Sequence, residues 1–415
     1  MKAEFYKGNR QRLYAKLPAG SMVAFFSGRV VLKTNDEFFP FFADRSFVYL
    51  TGLDTCVEAV LLAAKDADGS LDERIYILPP DPFKERWTGT RVKPPEAEAI
   101  SGCSDIRFIE AFQGDFRKLA LCGNYGSLYL DLYKVNDWDA DRQAHEFLKY
   151  VQAYMPFIQI GNANALIREL RLIKQPCEIE ALKYGEKITG EGILAMMRAS
   201  HPGMYEYQYK AEFDRALQQY KAYPYGFPPI ISAGRNNFCI HYYSYTGQAQ
   251  DGDMILNDVG VSWDNLITDV SRGWPCNGRF TDRQRILYEC ALATSDHLFE
   301  IVKPGMRMED VDKTIHAYCG VQLMDAGLIQ DLSEERQIMW HNGAHHIGFD
   351  VHDVVATPEI IGPNMAFCID VGVYYEAWGI GFRIEDNCLT TEDGCINLSA
   401  GIPRTIEDIE SVMND

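Results

Sequence analysis

Four carboxylates stand where the surrounding residues are those of β-strands: Asp258 in MILNDVGV, Asp269 in NLITDVSRGW, Asp370 in MAFCIDVGVYY and Glu385 in IGFRIEDNCL. Acids are depleted from strands and costly to bury unpaired, so one alone would read as a strand-end residue or an ion-pair partner. Four in two pairs, eleven and fifteen residues apart, are harder to dismiss. Such spacings let two antiparallel strands present both members of a pair on one face. Converging carboxylates repel and shift one another's pKa unless cations lie between them, and two divalent ions would neutralise four charges. An oxygen-rich set suits hard ions such as Mn²⁺ or Mg²⁺, while one imidazole would admit Zn²⁺, Co²⁺ or Fe²⁺.

Imidazoles are at hand. The segment WHNGAHHIGFDVHD, Trp340 to Asp353, holds His341, His345, His346 and His352, four of the chain's nine histidines. Taken alone, such a cluster is also what adventitious surface metal affinity or ordinary loop chemistry looks like. Gly343 and Gly348 weigh the other way, because they mark a turn where backbone and side chains approach a ligand closely. His341 and His345 have the spacing of one helical face, but the same glycines argue against a regular helix. His241, in NNFCIHYYSY, sits among apolar and aromatic residues, where spacing cannot separate it from a satisfied core histidine.

The elements that must position these groups fall into two portions, 1–160 and 161–415. In the first, Met22 to Phe26, Ser46 to Tyr49, Val60 to Ala64 and Ile75 to Leu78 are apolar, strand-sized and bounded by Gly, Asp or Pro, which predicts an α/β unit with a largely buried sheet. The second opens with a long helical stretch that Pro176 divides, Pro suiting the first turn of the second helix. A helix over Tyr205 to Tyr220 follows, then hairpin material to about Phe280, helices over Gln284 to Val302 and Met308 to Ala326, and hairpins again from Gly343 to Thr391. The acids thus fall in two successive blocks, each of helices followed by a hairpin. With 47% hydrophobic and 24% charged residues, the 415-residue chain has globular composition. Its formal net charge of −19 opposes nucleic acid and anionic membranes as partners. The N-terminus lacks an apolar run of secretory length, no segment approaches ~20 uninterrupted apolar residues, and the eleven cysteines include no C-x-x-C pair. Free thiols in a reducing cytoplasm are the expectation.

In this order and context the motifs resemble the M24 metallopeptidases, in particular their Xaa-Pro aminopeptidase (aminopeptidase P) and prolidase branch. DVSRGWPCNGRFTDRQRILYE is similar to that branch's D-I-T-R-T-F-P-V-N-G-K-F-T pattern, and LRLIKQPCEIEALKYGEKIT to its L-R-x-I-K-x-x-x-E-I-x-x-L helix. FFADRSFVYLTGLD resembles the aminopeptidase P N-domain, and ERWTGTR its W-x-G-x-R loop. The likeness spans nearly the whole chain. It implies an α+β protein with a C-terminal pita-bread (creatinase/aminopeptidase) domain and an N-terminal α/β creatinase-like domain.

Carried onto this sequence, the resemblance implies that Asp258, Asp269, His345, Asp370 and Glu385 hold two divalent ions, Mn²⁺ first, with Zn²⁺, Co²⁺ or Fe²⁺ as alternatives. His241 and His352 would serve catalysis with Asp370, and His341 would line the leaving-group proline pocket. Arg383 would support the carboxylates from the substrate side, and Trp87 matches an aromatic that caps a neighbouring subunit's pocket in a homodimer or homotetramer. The implied activity is removal of the residue preceding proline at a peptide N-terminus, with an Xaa-Pro dipeptidase as the close alternative. One position departs: the family's I-E-P-G-x-Y strand reads Ile369, Asp370, Val371, Gly372, Val373, Tyr374 here. Asp is one methylene shorter than Glu, about 1.5 Å of reach, at the position of both a metal ligand and the usual general base. A non-catalytic binding protein of the same fold is therefore a third reading. A metal-free creatinase-like hydrolase fits less well, since such a site has little reason to hold four carboxylates together.

Overall fold

The computed structural model describes residues 1–222, 225–354 and 360–414. The chain divides into two compact units, Met1–Leu170 and Arg171–Asp415. No described helix is long and apolar enough to cross a membrane.

The first unit is built on six strands, β1 (Ser21–Phe26), β2 (Val60–Lys65), β3 (Leu71–Ile77), β4 (Ile106–Phe108), β5 (Ser127–Leu130) and β6 (Gln159–Asn162), in the order β4-β3-β2-β1-β5-β6. The middle pairings are antiparallel and the outer ones parallel. Every residue of β1 is buried, which is why its sequence is a continuous apolar run and not an alternation. Phe26, Tyr76, Phe112, Phe116 and Phe147 pack one core of this unit. The expectation of a strand at Ser46 to Tyr49 is wrong: these residues lie in a helix, Arg45–Thr51. The Asp44 carboxylate accepts the backbone N–H groups of Ser46 and Phe47 at 3.0 and 3.2 Å, capping the N-terminus. Gly52 ends the helix at φ 71°, where a Cβ would also meet the Tyr6 ring at 2.5 Å. All seven helical residues are buried, so the segment carries no amphipathic period to distinguish it from a buried strand. The W-x-G-x-R segment, likened to a loop, is helical through Trp87 in Pro82–Thr88, and Trp87 is 78% exposed.

In the second unit, β7 (Ile230–Ala233), β8 (Met254–Val259), β11 (Val270–Pro275), β12 (Ala366–Tyr375) and β13 (Ile380–Thr390) form an antiparallel sheet ordered β12-β13-β11-β8-β7. The short β14 (Cys395–Asn397) pairs with the far end of β13. Between β8 and β11 stands a miniature hairpin of β9 (Ser262–Trp263) and β10 (Leu266–Ile267), turned by Asp264 and Asn265 at φ 50° and 70°. The expected helices form over Pro176–Ala199, Glu206–Gln219, Asp282–Ile301 and Met308–Asp325. Pro176 takes the first turn of its helix, and Glu178 reaches back to accept the Gln175 N–H at 2.8 Å. Trp274, Tyr288 and Phe382 belong to the core of this unit. Among the described residues, the histidine-rich stretch 341–354 is neither helix nor strand; residues 355–359 of the expected hairpin region lie outside the described residues.

Candidate metal centre

Strand register puts most of the suspected acids in one line. Asp370 of β12 pairs with Glu385 of β13, Glu385 with Ser271 of β11, and Ser271 with Asp258 of β8. Residues directly opposed across a sheet share a face, so three carboxylates and a hydroxyl run side by side across four strands. Ser271 Oγ donates to Glu385 Oε2 at 2.8 Å within this row. Asp269, expected in a hairpin strand on one face with Asp258, lies just outside the strand. It precedes β11, and the inserted β9–β10 hairpin takes up the intervening residues. Its backbone is held by the Asn387 side chain instead: the amide oxygen accepts the Asp269 N–H at 3.0 Å and the amide nitrogen donates to the Asp269 carbonyl. Standing two residues before Ser271, Asp269 keeps the same facing as the row.

The histidine-rich stretch is fastened along the free edge of β12. Cys368 N–H donates to the His345 carbonyl and Asp370 N–H to the Gly343 carbonyl, both at 2.8 Å. A Cβ on Gly343 would stand 2.8 Å from the Asp370 carbonyl oxygen, so glycine permits the approach. Asp312, on the helix Met308–Asp325, accepts the Gly343 N–H at 2.7 Å. His345 Nε2 thereby lies 3.5 Å from Asp269 Oδ2 and 3.6 Å from Glu385 Oε1. The ring of His352 lies 4.2 Å from that of His345. His341 Nδ1 is 3.3 Å from Asp370 Oδ2, and its Nε2 is 3.2 Å from the Tyr374 hydroxyl. His341 is therefore beside an acid of the row as well as an aromatic. His241 is exposed and stacks with Tyr243, which removes the core-histidine reading. Arg383 is buried and donates to Asp258 Oδ2 at 2.8 Å and to the Tyr374 hydroxyl at 2.9 Å, so its guanidinium is spent on the cluster. Trp87 belongs to the first unit and the carboxylate row to the second.

The electrostatics are those of a site short of positive charge. Burial, then Glu385 and Asp258 as neighbouring negative charges, lifts Asp269 well above the ordinary carboxylate range. Burial and then Glu385 push Asp370 up to about 7. Burial alone would lower His345, but Glu385 beside it raises the imidazole instead. Burial, then the adjacent His345 and His241, press His352 down to about 4. Among the described residues, Asp258 Oδ1, Asp269 Oδ1 and Asp370 Oδ1 are buried without a hydrogen-bond partner, an expensive condition for carboxylate oxygens. One donor atom each from Asp269, His345, Cys368 and Glu385 lies within 4.8 Å of all the others. Carboxylate oxygens and an imidazole, crowded and partly orphaned, are a donor set that divalent cations fit.

Sequence reasoning missed several residues that build the site. Ser271, Asn387, Tyr374, Cys368 and Asp312 act through contacts that join distant segments, which a linear pattern does not display. So does Asp353, which Arg171 and Lys174 clasp in an ion-paired cluster with the Lys174 ammonium at 3.4 Å. The signal available was Asn387, an amide beside Glu385 and Asp386 inside a strand that is buried throughout.

Comparison with known proteins places this architecture. The model of metallopeptidase family M24 matches residues 180–392, and that of the aminopeptidase P N-terminal domain matches residues 6–128. A Bacillus anthracis structure provisionally named aminopeptidase P superposes with a TM-score of 0.97 at 32% identity, covering 100% of this chain and 99% of its own. The aminopeptidase P of Escherichia coli with the inhibitor Pro-Leu gives 0.92 at 25% identity over 100% and 98%. The Xaa-Pro aminopeptidase of Haemophilus influenzae is 29% identical over 99% of this chain and 97% of its own length. The likeness therefore takes in the aminopeptidase P N-terminal domain and the pita-bread domain together.

Proposed function

The chain belongs to metallopeptidase family M24, and on that premise we propose that it is a metallo-exopeptidase that removes the N-terminal residue from peptides with proline in second place. The observation that carries this reading is the row Asp370, Glu385, Ser271, Asp258, with Asp269 and His345 drawn to it and three buried carboxylate oxygens left without partners among the described residues. Asp258, Asp269, His345, Asp370 and Glu385 would hold two divalent ions, with Mn²⁺ the first candidate for an oxygen-rich set. Bound there, the ions supply Lewis acidity, which polarises a carbonyl and makes water a better nucleophile at neutral pH.

The residues of the chain do the rest. An Xaa-Pro bond is a tertiary amide, and its nitrogen must gain a proton to leave. In this reading Asp370 accepts a proton from the attacking water and returns it to the proline nitrogen, and His341 Nδ1 stands 3.3 Å from its Oδ2. His352, beside His345, and the exposed His241 donate to the developing oxyanion and orient the peptide. Arg383 and Ser271 hold Asp258 and Glu385 in place, so the row need not reorganise during the reaction. Asp370 keeps the register position opposite Glu385, with its Oδ2 beside His341 Nδ1. Catalysis belongs to the 161–415 portion in this proposal, and subunits pair as a homodimer or homotetramer.

The test is a peptide series with the Mn²⁺-loaded protein. Free Xaa is expected from Xaa-Pro-Yaa and not from Xaa-Ala-Yaa; release from Xaa-Pro alone and not from the tripeptide would make the protein a dipeptidase instead.

A further inference from the structure

Cys368 lies on β12 two residues before Asp370 and so faces the same side of the sheet. It is fully buried, and its backbone N–H is bonded to the His345 carbonyl at 2.8 Å, which locks the two residues side by side. Its sulfur is one of the four donor atoms, with those of Asp269, His345 and Glu385, that lie within 4.8 Å of one another. Within that group Asp269 is 4% exposed, its Oδ2 lies 3.5 Å from His345 Nε2, and its buried Oδ1 has no hydrogen-bond partner among the described residues. Asn387 Nδ2 donates to Cys368 Sγ at 3.5 Å. An amide N–H on the sulfur is the kind of outer contact that orients a ligating atom, and the same Asn387 side chain holds the backbone of Asp269.

We propose that Cys368 Sγ is a direct ligand of one ion of the pair and turns the metal preference of the centre towards thiophilic ions such as Zn²⁺. The inference rests on the metal-centre reading above and goes beyond it in adding a donor of different chemistry. Two carboxylates, an imidazole and a sulfur make a mixed four-donor set of the type that Zn²⁺ takes readily, whereas oxygen donors alone suit Mn²⁺ or Mg²⁺. When the ion binds, the sulfur–metal bond forms and the thiol proton leaves to bulk water. No electrons are exchanged.

The 415-residue chain is loaded with Zn²⁺, freed of excess, assayed for zinc per chain and examined by zinc X-ray absorption fine structure. The expected spectrum has a sulfur shell at about 2.3 Å, separate from nitrogen and oxygen at about 2.0–2.2 Å. That shell should vanish in Cys368→Ser while zinc remains bound and the circular dichroism is unchanged. In equilibrium competition the variant should shift at least tenfold from Zn²⁺ towards Mn²⁺. A wild-type spectrum with nitrogen and oxygen only, or a sulfur shell that survives Cys368→Ser, overturns the assignment of Cys368 while leaving the metal centre standing. A folded chain that takes up no zinc overturns both. Should Cys368→Ser not fold, Cys368→Thr and Cys368→Ala provide the comparison, and the wild-type spectrum still decides whether sulfur is bound.

Discussion

Arg383 shows how much a single residue can hold. Its guanidinium is buried and reaches Asp258, the Tyr374 hydroxyl and the Ile240 carbonyl, so its removal leaves several groups unsatisfied together. Arg383→Met should destabilise the metal-free protein by on the order of 3 kcal/mol, as for other broken buried pairs, measurable by denaturant unfolding. Asp370→Asn keeps the size of the side chain and removes the proton acceptor; kcat should fall by roughly 10²- to 10⁴-fold with the fold intact by circular dichroism. A third test lies outside the row. Glu186 is buried, and burial, opposed by Ser399 and Arg272 and reinforced by the charges of Asp386 and Glu385, raises its pKa to about 8. The unfolded carboxyl ionises near its ordinary value, so between there and about pH 8 the folded state binds more protons and stability falls as pH rises. Glu186→Gln should therefore lose less stability than the wild type between pH 5 and pH 8, read from unfolding midpoints across that range.

Single residues matter here because strands and one irregular stretch bring them together. The β12–β13 pair was legible: its two acids stood in apolar runs of strand length, and the register opposes them directly. Asp269 was legible as a candidate site residue, but its place just before β11 was not, because the β9–β10 hairpin inserted ahead of it leaves no mark in a two-residue alternation. Ser46 to Tyr49 misled for a related reason: a fully buried helix of seven residues has no polar face, and the clues were its ends, Asp44 and Gly52. The glycines of the histidine-rich stretch rightly argued against a regular helix, but the hairpin expected from Gly343 begins only at Ala366, and what fixes the stretch, bonding to the edge of β12 and to Asp312, joins residues that no local pattern relates. Asp312→Ala should free that stretch without touching a proposed ligand. Metal affinity should then fall by about 10- to 100-fold in calorimetric titration, as when other outer contacts to ligands are lost.

At the scale of the whole molecule, the surplus of acids has two different meanings. Most of the 59 Asp and Glu residues give the chain its net charge of −19 and oppose polyanionic partners. The few gathered on the β12-β13-β11-β8 face form a local excess that the fold tolerates at a cost, visible in the raised pKa values of Asp269 and Asp370. Bound cations should relieve that cost, so chelation is expected to lower the thermal midpoint by several degrees and added Mn²⁺ or Zn²⁺ to restore it, as linkage to a ligand of the native state requires. The most direct measurement of the central claim follows both quantities at once: release of Xaa from an Xaa-Pro-Yaa peptide against the number of ions bound per chain, from the chelated protein upward. Release should be absent without metal and should rise to a plateau as the chain approaches two bound ions. A folded chain carrying two ions that releases nothing, or a chelated chain that releases Xaa at the full rate, would contradict it.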